Sequence, residues 1–332
     1  VRLKDYFIEL LKEHGIDSIS TSLKLISRDP IQQMAVYVAN GKANVCRGSE
    51  GKAFKLNGEP VSEAKAFVGD CSNAVFGRDE LIERTEGFPY VVIDCQFYDL
   101  HSKKEKSKVK TQLRATLGVI RDFMWDDRLA ITGKKIQEFE RFYSESTASF
   151  IKEKNFDRVI LLDPNAEEVY SGEKADCFII GGIVDKTGNK KGWTSKIGRD
   201  LEREGIDFTS AKILLRGDTI GVPDRINTIA EMVLLTVLDG IEVEEAIRRV
   251  QSNLVARWRL KKELPKITKR LDSKRPFRFV LKSDFRKFDW LNLSYRDFLE
   301  VCRQMDYIVV DDSLFEIIQK FEFDEVKGAY KA

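Results

Sequence analysis

"CFIIGGIVDKTGNKKG", residues 177–192, is the stretch on which the reading of this chain turns. It runs from an apolar strand-like segment into a glycine pair, Gly181 and Gly182, and then through Ile183 and Val184 to Asp185 and a basic turn. A short apolar run without alternation suits a strand covered on both faces, as in a parallel sheet. Glycines at the mouth of such a strand let another group pass close to the backbone. Asp185 is then the first ionisable group within reach of whatever approaches.

The same grammar recurs on both sides. YVVIDCQF (90–97), DRLAITG (127–133), FDRVILLDP (156–164) and AKILLRG (211–217) read as further strands. Helices are predicted from about Lys104 to Met124, over 134–143, and from about Asn227 through NTIAEMVLLTVLDG. Strands alternating with helices predict a mostly parallel α/β sheet with ligands at the strand C-terminal ends. Three strand-end loops stand out: LLDPN (161–165), IIGGIVD (179–185) and LLRGDTIGVPDRINT (214–228). Together they suit a backbone-lined pocket for a nucleoside-like cofactor. GGIVD lacks the third glycine of a dinucleotide fingerprint, and no G-x-x-x-x-G-K-[ST] occurs, which argues against Rossmann and P-loop folds.

The flanks read differently. Residues 1–87 are expected to form a small α+β domain. Its amphipathic opening helix ends near His14, IQQMAVYVANGKANVCRGSEGKAFKLNGEP (31–60) reads as a hairpin or meander, and a short helix is predicted from Val61 to Ala66. Gly87 and Pro89 mark a boundary. The α/β region is placed at 88–256, and 257–332 is read as a basic linker with a small, mainly helical C-terminal domain.

With 332 residues, 42% of them hydrophobic, the chain can bury more than one core, and no apolar run approaches the roughly 18 residues of a membrane span. A soluble cytoplasmic protein is expected. The five cysteines (46, 71, 95, 177, 302) include no C-x-x-C and predict buried free thiols, and two histidines argue against a histidine metal site or a Ser-His-Asp triad. Net charge is only +2, yet 257–287 holds 13 Lys and Arg against 3 Asp and Glu. HSKKEKSKVKTQLR (101–114) is a second basic patch opposed by Glu105 alone. Two such patches predict a polyanion partner.

The stretches VVIDCQFYDLHSKKEKSKVKTQL, VILLDPNAEEVY, CFIIGGIVDKTGNKKG and LLRGDTIGVPDRINTIAEMV, spanning about 90–240 in that order, resemble the tRNA purine-9 N1-methyltransferases of the SPOUT class. That resemblance implies a SPOUT-like sheet closed by a C-terminal trefoil knot, S-adenosylmethionine as cofactor, no metal, and tRNA as partner. It implies that Gly181, Gly182 and Ile183 let the backbone approach the cofactor. Leu161, Leu162, Leu214, Leu215, Gly217, Arg225, Ile226 and Thr228 would wall the cofactor, largely through backbone groups. Asp185 would face the target base, and Asp224 is a second carboxylate by position alone. Lys190 and Lys191 resemble the basic turn after the family's aspartate and are expected to touch phosphate. The basic patches add Lys104, Lys108, Lys110 and Arg114, and Lys261, Lys262, Lys266, Lys269 and Arg270, as further tRNA contacts. The folded first 87 residues follow archaeal members better than eukaryotic ones, and the family implies a monomer.

The implied reaction moves a methyl group to N1 of the purine at tRNA position 9. Guanine N1 carries a proton and calls for a base, whereas adenine N1 offers a lone pair and develops positive charge. Asp185 can serve either. A SPOUT ribose 2′-O-methyltransferase and a non-catalytic tRNA-binding protein are the alternatives at this stage.

Overall fold

Strand Cys177–Gly181 lies inside a six-stranded sheet whose order is Thr209–Ala211, Val159–Leu162, Cys177–Gly181, Tyr90–Asp94, Leu129–Thr132 and Tyr143–Ser144. All five pairings are parallel, with Cys177 opposite Tyr90 and Gly181 opposite Asp94. The central strands are buried along almost their whole length, as continuous apolar runs require. Val92, Leu161 and Ile179 pack with Ile197 and Leu201 of helix Trp193–Arg203. Helix Lys103–Phe123 opens on a capping box, Ser102 with Glu105, and packs against helix Ile226–Val237.

The computed structural model describes residues 1–332, which divide into two compact units: Val1–Ile213 with Asp224–Ile241, and Leu214–Pro223 with Glu242–Ala332. The first unit also holds a mixed sheet ordered Pro60–Val61, Lys52–Lys55, Ser18–Thr21, Ala66–Gly69, Asn44–Arg47 and Ala74–Phe76. Several sequence expectations fail here. IQQMAVYVA is a helix, Pro30–Ala39, because Asp29 caps it by accepting the Gln32 N–H at 3.1 Å and Pro30 presets its first turn. Its β-branched residues read as a strand only when that start is overlooked. Residues 61–66 form no helix, since Val61 ends one sheet strand and Ala66 begins another, and 134–143 contains only short turns, the second of them Glu140–Phe142. Cys46 and Cys71 are joined in a disulfide, while Cys95, Cys177 and Cys302 are buried free thiols. Spacing along the chain could not show that pairing. It arises because strand Asn44–Arg47 lies between Ala66–Gly69 and Ala74–Phe76.

In the second unit, helices Val243–Val250 and Asn253–Ile267 precede a five-stranded sheet ordered Tyr307–Val310, Phe277–Leu281, Lys269–Asp272, Ala329–Lys331 and Glu322–Asp324. The stretch expected to be a basic linker is therefore corrected to a helix and two strands of a folded sheet, which stands beside helices Tyr295–Gln304 and Asp312–Ile318. Phe279 and Leu271 face the core of this sheet with Val310 and Ile318, and the abundant charges between them hid the alternation.

Candidate active site

The two glycines have different tasks. Gly182 donates its N–H to the Asp94 carbonyl at 2.7 Å, and a Cβ placed on it would lie 2.5 Å from Cys95 Sγ and 3.0 Å from that carbonyl. Only glycine lets this strand end lie against its neighbour. A Cβ on Gly181 would meet side-chain ends instead, Ile183 Cδ1 at 3.0 Å and Thr194 Oγ1 at 3.2 Å. Gly181 is half-buried, so the strand end reaches the surface there with only those side-chain ends close by.

Asp185 does not simply project into solvent. Its Oδ1 accepts the Gly188 N–H at 2.8 Å and the Thr187 N–H at 3.1 Å, and Oδ2 accepts the Lys190 N–H at 3.0 Å. Partial burial works to raise its pKa, but these N–H donors and the Lys190 charge prevail and hold it below the usual aspartate value. The carboxylate is thus ionised and oriented at neutral pH, better suited to act as a fixed charge than as a strong proton acceptor.

The loop around it is tied to the start of helix Lys103–Phe123. Val184 N–H donates to His101 Nε2 at 3.1 Å, Lys186 N–H to Glu105 Oε1 at 3.4 Å, and the Lys190 ammonium to the same oxygen at 2.7 Å. Lys190 is buried, so of the two lysines expected to touch phosphate only Lys191 is exposed. The reason is Glu105, read from sequence as a surface opponent of a basic patch but in fact buried and in need of a countercharge. Lys190 holds its carboxyl down to about 2.

Around the strand ends, Leu161 and Leu162 have buried side chains, so they can line a ligand only through backbone atoms. Asp163 accepts the Ser195 hydroxyl at 2.7 Å and so ties the LLDPN loop to helix Trp193–Arg203. Ile226 is buried and its N–H donates to Gln112 Oε1 at 3.0 Å. Thr228 bonds back to the Arg225 carbonyl at 3.0 Å. Asp224 and Arg225 are exposed. Lys108, also exposed, lies between Glu105 and Gln112 along its helix, and its pKa is lowered by Lys186 and, less strongly, by Arg225. None of these three cations has a carboxylate partner. Leu214, Leu215 and Gly217 fall in the second unit, where Leu215 and Asp218 exchange backbone bonds of 2.8 and 3.1 Å around Arg216 and Gly217, both at positive φ. Gly217 thus supports a tight turn, and Leu215 is buried.

Residues 4–84 match the family model described as tRNA (guanine(9)-/adenine(9)-N1)-methyltransferase N domain. The tRNA (guanine(9)-/adenine(9)-N1)-methyltransferase of Thermococcus kodakarensis is 39% identical over 331 residues, covering 93% of this chain and 90% of that protein. The chain belongs to this methyltransferase family. Among solved structures, the dual-specific Trm10 of Thermococcus kodakaraensis has a TM-score of 0.60 at 31% identity, covering 73% of this chain and 98% of that one. The Trm10 of Sulfolobus acidocaldarius, in complex with S-adenosylhomocysteine, has a TM-score of 0.66 at 23% identity, covering 92% of this chain and 99% of that one, and so shares the fold.

The basic residues singled out from sequence divide by partner. Lys104 and Lys110 have no ion pair, whereas Arg114 forks onto Glu138 at 2.8 and 2.7 Å. In the second unit Lys261 is free, Lys262 pairs with Asp218, Lys266 with Glu263 at 2.8 Å, and Arg270 with Asp272 at 3.8 Å. Lys269 sits 5.2 Å over the Phe315 ring. Of the neighbouring aromatics Phe279 and Phe288 are core, while Trp258 is 55% exposed. Sequence reasoning missed His101, Glu105, Gln112 and Asp163 as organising residues. The S-x-x-E pattern of Ser102–Glu105 was the available signal for the helix start that carries two of them.

Proposed function

We propose that this chain transfers a methyl group from S-adenosylmethionine to N1 of the purine at position 9 of tRNA. The near-full-length match to the dual guanine/adenine enzyme of Thermococcus kodakarensis carries this reading. The strand end supports it locally: a half-buried glycine, Gly181, precedes a fixed carboxylate at the C-terminal edge of a parallel sheet. Gly181, Ile183 and the backbone at Leu161, Leu162, Arg225, Ile226 and Thr228 would hold the cofactor, which supplies an electrophilic methyl group when bound.

N1 lies on the Watson–Crick edge, so the purine must leave its stack to reach the site. Asp185 then offers a negative charge whose direction is fixed by three backbone N–H groups before the base arrives. That preorganised charge stabilises the positive charge developing on adenine and, on guanine, favours release of the N1 proton to solvent water as the methyl group is taken up. Lys108, Lys186, Lys191 and Arg225, exposed and unpaired, would take the flanking phosphates. The trefoil knot, a tRNA contact through residues 1–87, and action as a cytoplasmic monomer belong to the same proposal. No helix is long and apolar enough to cross a membrane.

The test is incubation with S-adenosylmethionine and two tRNA transcripts differing only by A or G at position 9. Reverse transcription is expected to halt at that position, because an N1-methylpurine cannot pair. A methyl group found on a ribose 2′-oxygen, or tight tRNA binding with no transfer, would overturn the assignment.

A further inference from the structure

His101 is 4% exposed, and its Nδ1 lies 3.2 Å from the carbonyl oxygens of both Phe97 and Tyr98. Two carbonyl acceptors place the ring proton on Nδ1, so Nε2 is an acceptor, and it takes the Val184 N–H at 3.1 Å. Four residues on, Glu105 divides its oxygens. Oε2 accepts the Ser102 N–H at 2.9 Å and caps the helix, while Oε1 accepts the Lys190 ammonium at 2.7 Å and the Lys186 N–H at 3.4 Å. The backbone of Lys190 in turn holds Asp185 Oδ2 at 3.0 Å. The loop is therefore fastened on both sides of its aspartate, before it through Val184 and after it through Lys186 and Lys190.

We propose that His101 and Glu105 are positioning residues, which fix the 182–190 loop against the start of helix Lys103–Phe123 and thereby aim the Asp185 carboxylate. The purpose of this clamp rests on the methyltransferase reading, but its existence does not. Its histidine arm depends on charge, because a protonated imidazole carries N–H on both nitrogens and can no longer accept from Val184. The charged groups facing the ring are Glu105, which favours the cation, and Lys190, which opposes it, with the rings of Tyr98 and Trp193 packed alongside. Burial outweighs the hydrogen bonds and Glu105 and lowers the His101 pKa, so the clamp is closed at neutral pH and opens on the acid side of the ordinary histidine value of about 6.5.

The test compares the parent protein with His101→Gln, whose amide oxygen can accept the Val184 N–H without titrating, and His101→Leu, which cannot accept it. Amide exchange at Val184, as a protection factor, and single-turnover methyl transfer are followed from pH 7.5 to 5.5. In the parent both are expected to fall toward the acid end of that range, approaching a loss of about five- to tenfold, the effect of one hydrogen bond, as the imidazole becomes fully protonated. In His101→Gln both should be nearly independent of pH. In His101→Leu both should be low throughout, with Glu105→Gln giving a similar loss centred on Lys186 and Lys190. Equal Val184 protection in all the proteins, or an undiminished acid limb in His101→Gln, would overturn the proposal. If His101→Leu does not fold, the glutamine variant alone decides it. A parent that methylates no tRNA would sink the methyltransferase reading, while amide exchange would still decide the clamp.

Discussion

The two basic stretches, 101–114 and 257–287, look alike in composition and behave differently in the fold. In the first, the lone acidic residue is drawn inside: Glu105 is buried against Lys190, and Lys104, Lys108 and Lys110 are left without carboxylate partners. In the second, nearby acids take up much of the charge. Arg257, Arg259, Lys262, Lys266, Arg270, Lys282 and Lys287 all reach a carboxylate, several of them on the sequence neighbours Glu263, Asp272 and Asp284. A count of charges therefore says how basic a segment is, but not which cations are free for phosphate. One buried acid changes the answer more than many exposed ones, because a charge taken out of water must be paired.

The contrast has measurable consequences. The largest concerns the carboxylate that the first stretch helps to hold. Asp185→Asn should lower single-turnover rates by about 10²- to 10³-fold on adenine-9 and guanine-9 transcripts alike, as loss of a preorganised charge does, with tRNA affinity nearly unchanged. A loss confined to guanine-9 would instead make Asp185 a general base. Next, Lys108, Lys186 and Arg225 replaced together by Gln should flatten the salt dependence of tRNA binding, each lost contact removing roughly 0.7 to 0.9 from the log–log slope. The same change at Lys262, Lys266 and Arg270 should remove less. Filter binding that showed the reverse would move the tRNA surface to the second stretch.

A smaller effect separates the two glycines. Gly182→Ala should cost about 1 to 3 kcal/mol in denaturant unfolding, because its Cβ meets the end of the next strand at Cys95 and Asp94. Gly181→Ala should cost less, since only side-chain ends stand in the way. The smallest effect is on acid stability. Glu105 has its pKa depressed to about 2, so its contribution is fully present above the unfolded-state value near 4.3 and is lost as pH falls toward 2. Glu105→Gln should reduce that acid dependence in melting curves, and an unchanged profile would mean that Lys190 does not pair with it in solution.

Much of the fold was legible because the parallel strands write themselves as apolar runs, and GGIVD marked both the strand mouth and its carboxylate. Helix Pro30–Ala39 was not, because its Val and Tyr content favours a strand and only Asp29-Pro30 announces the helix. In the C-terminal sheet Tyr307–Val310 was legible as an apolar run, while Lys269–Asp272 and Phe277–Leu281 were hidden by the lysines and arginines among their apolar residues. The Cys46–Cys71 disulfide depends on which strands neighbour one another, and the buried Glu105–Lys190 pair joins residues 85 apart in sequence. Tertiary placement of this kind leaves no local pattern to read.

Calorimetry of S-adenosylmethionine binding to the parent and to Gly181→Arg tests the methyl-donor site most directly. The parent should bind the cofactor, and the variant should keep a cooperative melting transition yet show no binding heat, because the new side chain would fill the strand mouth where the cofactor is placed. A folded Gly181→Arg protein with parental affinity would contradict the placement of the cofactor at this strand end.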